Sequence, residues 1–365
     1  MKNSFGTHVT VTLFGESHGD AIGAVVDGFA PGIPVDTDFI ASQLSLRRAV
    51  GKIGTARREA DPFQIISGVF QGKTTGTPLC IIIPNEDTRS GDYDQLRRIP
   101  RPGHADYTAW CKYHGYQDHR GGGHFSGRLT AALVAVGAVA ISALREKGIV
   151  IGTHIARCGG ISDRAFGDDL LSDLTRLNSS AFAVLDSDVK RAMVQRIEQA
   201  AAEGDSVGGV LETAVTGLPG GVGEPWFDTA EGLLSHALFS IPAVKGVEFG
   251  DGFGMADGRG STCNDAFSVE NGSVFTLTNH NGGVNGGISN GMPLLIRCAV
   301  KPTPSIFKEQ QSVDLERMEN VSLRLQGRHD PAIVHRARVV VDSMTALTLC
   351  DLLAGRFGAD YLGGK

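Results

Sequence analysis

The chain has 365 residues, of which 41% are hydrophobic and 20% charged, and its formal net charge is −6. That is the composition of a globular protein able to bury its own core, and the acidic balance argues against nucleic acid as its main partner. The six cysteines (Cys80, Cys111, Cys158, Cys263, Cys298 and Cys350) are scattered without a C-x-x-C pair, so neither a disulfide framework nor a zinc site is expected.

The N-terminus carries no long apolar run of the signal-peptide kind, and the longest apolar stretch, 129–144, is short for a membrane span. A cytoplasmic protein without membrane contact is the expectation. The first predicted element is a strand in "HVTVTLF", where Val9, Val11 and Leu13 share one face and Thr10 and Thr12 the other. "FGESHGDAIG" follows and contains G-x-S-x-G, the elbow pattern of serine hydrolases with Ser17 as nucleophile. An elbow needs a helix after the serine, whereas "AIGAVVDGFAPGIP" reads as a second strand and a turn. A helix is predicted from "DTDFIASQLSLRRAV" with Asp36 as N-cap, and the negative charge lies largely in helices and surface turns such as "DDLLSDLTRL". "FSGRLTAALVAVGAVAISALREKG" is a long helix apolar on nearly every face, which requires burial on both sides. "DVKRAMVQRIEQAAAEG", "DTAEGLLSHALFSIP" and "PAIVHRARVVVDSMTALTLCDLLAGRFG" complete the helices. Strands and helices do not alternate in the βαβ manner, so the expected class is α+β, with long helices covered by antiparallel sheets.

Two segment pairs suggest an internal duplication. "GDAIGAVVDGFAPGIP" from Gly19 resembles "GDSVGGVLETAVTGLPGGVGEP" from Gly204, and "GVFQGKTTGTPL" (68–79) aligns without gaps to "GVNGGISNGMPL" (283–294). One domain is expected, made of two repeats related by a pseudo-twofold axis, approximately 1–185 and 186–365.

Four loops carry Gly, His and Arg or Asp together: "GESHG", "RRIPRPGHADYT", "DHRGGGHFSGR" and "GRHDP". Three consecutive glycines running into a helix N-terminus form a ready anion site. Cationic loops inside an acidic chain point to a small anionic substrate. His18, His104, His119 and His124 have no H-x-x-x-H or H-E-x-x-H spacing, and no Walker A is present, so neither a metal nor a nucleotide site is expected.

In order and spread, "FGESHG", "VDGFAPGIP", "SGVFQGKTTGTPL", "RPGHADYT", "HRGGGHFSGR", "VKGVEFGDGF", "GGISNGMPL", "KPTPSI" and "GRHDP" resemble the signatures of the chorismate synthase family. The resemblance implies a β-α-β sandwich, a homotetramer, and a lyase that converts 5-enolpyruvylshikimate 3-phosphate to chorismate and phosphate by 1,4-anti elimination. It also implies reduced FMN as cofactor, with NADPH acting only indirectly as a reductant of flavin. Position by position, it makes His18 the histidine beside the flavin, His104 the proton donor to the departing phosphate and Asp330 the carboxylate assisting at the flavin. Cofactor contacts would come from His124, Phe125, Ser126, Ala243, Gly286, Lys301, Pro302, Thr303, Pro304, Ser305 and Arg328. Substrate contacts would come from Ser17, Arg47, Lys52, Arg101 and Arg128. Two departures stand out: many family members have Arg-Ser where this chain has His124-Phe125, and Asn where it has Pro242.

Overall fold

The computed structural model describes residues 2–48, 53, 61–86, 97–325 and 330–364. Two five-stranded antiparallel sheets enclose two long helices. The first sheet runs Ser4–Phe5, Thr10–Gly15, Ala21–Asp27, Leu79–Pro84, Gln64–Ser67 in spatial order. The second runs Ile161–Ser162, Val150–Cys158, Gly209–Thr216, Leu294–Val300, Val244–Phe249. Buried side chains recur at every second position in several strands, as a sheet packed on one face requires: Ile22, Ala24 and Val26 are buried, as are Leu79, Ile81 and Ile83, and in the second sheet Leu294, Ile296 and Cys298.

The apolar helix Thr130–Glu146 packs on the first sheet, and Val334–Phe357 packs on the second and on its counterpart. The stretch Gly127–Glu146 is long and apolar enough to cross a membrane, but 89% of that window is buried inside the protein. The expected sandwich of helices between sheets is what forms.

Four strands of each sheet share one order when matched along the chain: Thr10–Gly15, Ala21–Asp27, Leu79–Pro84, Gln64–Ser67 and Val150–Cys158, Gly209–Thr216, Leu294–Val300, Val244–Phe249. The fifth, edge strand precedes these in the first sheet (Ser4–Phe5) and follows the first of them in the second (Ile161–Ser162). The gapless sequence match is a structural one too: the hairpin Val69–Phe70/Lys73–Thr74 leads into Leu79–Pro84, and Val284–Asn285/Ile288–Ser289 leads into Leu294–Val300. Helix Thr37–Leu46 corresponds to Ala230–Phe239, and Thr130–Glu146 to Val334–Phe357. Strand Val150–Cys158 already belongs to the second sheet, so the sheets divide the chain at 147–149, ahead of the expected 185/186. Helices Leu170–Asn178 and Ser187–Ala202 are additions to the second half, with no counterpart among the described residues of the first, and they displace the matched segments.

Local signals placed most helices well. Asp36 caps its helix through Oδ1, accepting from Asp38 and Phe39 N–H at 2.9 and 3.0 Å. The N-terminal strands form a hairpin around Ser17–Gly19, with Leu13 opposite Ala24 and Gly15 opposite Ile22. No helix follows Ser17, so the geometry of a nucleophile elbow is not present. Helix Asp106–Tyr113 was not anticipated, because Pro-Gly punctuation dominates "RPGHADYT".

Candidate active site

Three of the four loops meet around Gly121–Gly123, those carrying Ser17–His18, Arg101–His104 and the glycines themselves. All three glycines have positive φ (56°, 85° and 52°), which lets the backbone pass where a side chain cannot. A Cβ on Gly121 would fall 2.2 Å from His18 Cε1 and 2.5 Å from Ser17 Oγ. One on Gly122 would meet His104 Cε1 at 3.2 Å. The glycine run therefore lies between the two histidines and touches both.

Ser17 is fully buried, its N–H donates to the Gly123 carbonyl at 3.1 Å, and its Oγ lies 2.8 Å from His18 Nδ1 and 3.3 Å from the Gly121 carbonyl. When Ser17 donates to that carbonyl, its lone pair faces His18 Nδ1 and helps to orient the ring. His104 and Arg101 come from the Pro-Gly loop. Asp106, in the first turn of the following helix, joins them: its Oδ1 lies 2.7 Å from His104 Nδ1, and its Oδ2 accepts from Arg101 Nε at 2.7 Å. Burial alone would raise the Asp106 pKa, but the hydrogen bonds from Arg101 and His104 outweigh it and hold the carboxyl well below the usual range.

The Lys301–Ser305 loop of the second half closes against this one. Lys301 Nζ donates to the Gly103 carbonyl, Arg101 Nη1 reaches Ser305 Oγ at 3.5 Å, and Gly103 packs near Pro304. Ala243, at φ 75°, accepts from Lys301 N–H at 2.9 Å. Asp330 is buried and pairs with Arg336; its neighbour Pro331 accepts from Val207 N–H at 2.8 Å, and Ser206 donates to the Thr303 carbonyl at 2.7 Å, so this segment adjoins the same loop.

A second charged group lies behind the glycines. Arg128 and Arg47 both pair with the buried Asp61. Arg47 also donates to Thr130 Oγ1 at 2.9 Å and the Gly127 carbonyl at 2.9 Å, and Arg128 to Asn85 Oδ1 at 3.0 Å. Asn85 in turn holds the Glu16 and Gly19 carbonyls at 2.9 and 2.8 Å, which ties the group to the His18 hairpin. His124 Nδ1 lies 2.8 Å from the Gly15 carbonyl, Phe125 packs edge-on against Tyr113 at 5.9 Å, and Ser126 caps Arg128 N–H at 3.3 Å. Gly286 stands apart: its hairpin bonds to Gly221, Val222 and Ala230 instead. Lys52 and Arg328 lie outside the described residues. The sequence reading missed Asp61 and Asp106; a carboxylate two residues after His104 was the available signal for the second.

These loops bring two histidines, Arg101 and buried backbone polar groups to one cleft, in the order in which the signature segments occur. A profile of the chorismate synthase family matches residues 9–354. The chain belongs to the chorismate synthase family. It is 46% identical over 351 residues to the chorismate synthase of Thermococcus kodakarensis, covering 96% of this chain and 97% of that one. It is likewise 46% identical over 354 residues to that of Dehalococcoides mccartyi, covering 96% of each. A crystal structure of chorismate synthase superposes with a TM-score of 0.77 at 29% identity, covering 98% of this chain and 94% of that one. As a chorismate synthase-family lyase, the chain converts 5-enolpyruvylshikimate 3-phosphate to chorismate in aromatic amino-acid biosynthesis, and the family depends on reduced flavin.

Proposed function

We propose that the elimination is 1,4-anti and is carried out with reduced FMN in the cleft around Gly121–Gly123. The placement of the glycine run between His18 and His104 is the observation that carries this reading. The cleft suits a flat anionic cofactor on two counts. Its glycines leave backbone exposed where a Cβ would otherwise stand, and Thr303 Oγ1 is buried with no partner among the described residues. His124, Phe125, Ser126, Ala243 and Lys301–Ser305 would hold the flavin, with Arg328 as a further contact. Gly286 joins that set only on the family resemblance.

Reduced flavin, when bound, would supply transient electron density for cleavage of the C–O bond to phosphate, because the C6 proton is too weakly acidic for an ordinary base to remove. The protein supplies position and protons. His104 donates to the departing phosphate oxygen while Arg101 stabilises its charge. His18, steadied by Ser17, manages the proton at the flavin, with Asp330 assisting. Arg47, Lys52 and Arg128 would meet the other substrate anions, with Asp61 holding Arg47 and Arg128 in place. The proton lost from C6 balances the one gained by phosphate, and the C6–H electron pair stays in the new double bond as the C–O pair leaves with phosphate, so no net redox change occurs. NADPH would enter only as a reductant of flavin.

We further infer one domain built from two repeats, a homotetramer, and a cytoplasmic enzyme. An anaerobic assay with the phosphorylated substrate tests the chemistry: phosphate should appear with reduced FMN and not with oxidised FMN. Turnover with oxidised flavin and no reductant would falsify the mechanism.

A further inference from the structure

His104 and Arg101 are tied together by one carboxylate that the family reading leaves without a role. Asp106 Oδ1 lies 2.7 Å from His104 Nδ1 and accepts from Arg101 Nη2 at 2.8 Å. Its Oδ2 accepts from Arg101 Nε at 2.7 Å and from the Arg101 backbone N–H at 3.0 Å. The three side chains are largely buried, with 8%, 19% and 12% exposure for Arg101, His104 and Asp106. Low local dielectric strengthens such a group when every donor finds its acceptor.

The geometry also settles the proton. An ionised carboxylate only accepts, so the hydrogen in the 2.7 Å contact sits on His104 Nδ1. Arg101 Nη2 is 3.0 Å from the same nitrogen, but a guanidinium cannot accept, so both donors converge on Asp106. Nε2 is then the nitrogen whose protonation changes, and it faces the glycine run, 3.6 Å from where a Gly122 Cβ would stand.

We propose that Asp106 is the positioning residue of this site: it fixes His104 in the Nδ1–H tautomer with Nε2 toward the leaving group, and it locks Arg101 beside it, so that proton donor and anion-binding cation act as one unit. This rests on the reading of His104 as proton donor. In the step itself the His104 Nε2–H bond breaks and an O–H bond forms on phosphate. The electron pair of the breaking C–O bond leaves with the phosphate. The imidazole is left neutral, its Nδ1–H still on Asp106, which stays ionised throughout.

The test compares Asp106→Asn, Asp106→Glu, His104→Ala and the double variant Asp106→Asn/His104→Ala, each with reduced FMN and the phosphorylated substrate. Asp106→Asn should lower kcat by roughly 10²-fold, the lower part of the range for general-acid loss, and raise KM through Arg101. Reduced-FMN affinity should not change. Asp106→Glu should recover part of the rate, and the double variant should be no slower than His104→Ala. Nitrogen-15 NMR of His104 should show Nδ1–H in the wild type and lose it in Asp106→Asn. An Nε2–H tautomer in the wild-type protein overturns the proposal without needing any variant. So does a rate loss in Asp106→Asn with the tautomer unchanged, which would mark a merely structural role. If His104→Ala turns over at the wild-type rate, the proton-donor reading falls; if it is slow while Asp106→Asn keeps the wild-type rate and tautomer, only the role of Asp106 falls.

Discussion

At the residue scale, Gly121 leaves no room for a side chain beside His18. Gly121→Ala would place a methyl 2.2 Å from His18 Cε1 at a φ of 56°, so the imidazole must move or the loop must open. A misplacement of about 1 Å at a catalytic group costs on the order of 10²-fold in rate, and turnover should fall by at least that, with far-UV circular dichroism unchanged. Wild-type turnover would mean that His18 is not held by this backbone. The second residue of interest is His335, fully buried in the second central helix and stacked on Phe182 at 6.1 Å. Neither ring nitrogen has a hydrogen-bond partner among the described residues. Burial, helped by the nearby Arg336, pushes its pKa down to about 4 from an ordinary 6.5. The unfolded chain therefore binds this proton more readily than the folded one, and stability is lost as pH falls below 6.5 towards 4. His335→Leu should raise the melting temperature, and its advantage should grow across that window by at most about 1.4 kcal/mol per pH unit. Melting curves at several pH values would check this, and a constant difference would rule out the titration. The chemistry of such single residues was only partly legible in the sequence. His18 and His104 stand in distinctive motifs, but the partners that hold the cations do not. Asp61 meets Arg128 across a long stretch of chain, and Asp106 begins a helix that the Pro-Gly punctuation before it concealed.

At the scale of elements, periodicity exposed the apolar helix because a helix without a polar face can only be buried. How closely it packs on its partner was not legible, since that depends on which small residues meet. Gly137 is that meeting point: a Cβ there would lie 2.3 Å from Ser343 Cβ and 2.8 Å from Ser343 Cα. Gly137→Ala must push the two central helices apart, and overpacking of this kind costs about 1–3 kcal/mol. Ser343→Gly removes the side-chain clash but not the backbone one, so the double variant should regain part of the loss in urea denaturation. No recovery at all would place the strain elsewhere. The second sheet has its own buried charge device. His154 Nδ1 is 2.9 Å from Asp163 and its Nε2 2.9 Å from Glu212, which links strand Val150–Cys158 to strand Gly209–Thr216. Burial opposes the imidazolium, but the two carboxylates win and the His154 pKa is raised. The stabilisation is fully present below 6.5, the ordinary value, and fades as pH rises through the raised one. His154→Gln should therefore lose most stability relative to wild type at mildly acidic pH and least at alkaline pH. That trend is opposite in sign to the penalty from His335, and a denaturation series across pH separates the two.

At the scale of the whole molecule, the duplicated strand order invites the expectation that each half folds alone, and the packing argues the reverse. One continuous apolar core draws on both sheets and both central helices. The helix of the second half reaches into the first: buried Asp351 accepts from the backbone N–H groups of Thr7, His8 and Val9 at 3.1, 2.6 and 2.9 Å. Hydrogen bonds to a charged group are worth about 1.5–3 kcal/mol each, and removing the second half removes this carboxylate. The proposed site is divided in the same way, with His18 and His104 from the first half and Lys301–Ser305 and Asp330 from the second. A fragment ending at Lys147 would expose the helix Thr130–Glu146, which is buried along nearly its whole length, on its second-sheet side. Expressed separately, the fragments 1–147 and 148–365 should each show little native circular dichroism and bind an exposed-hydrophobe dye. Expressed together, they should associate and recover turnover, because the break falls in the turn between Glu146 and Val150 and cuts no strand or helix. The intact chain should unfold in urea as one transition by circular dichroism and by activity. A fragment 1–147 that folds cooperatively on its own would show that the core shared between the sheets is not what stabilises the first half.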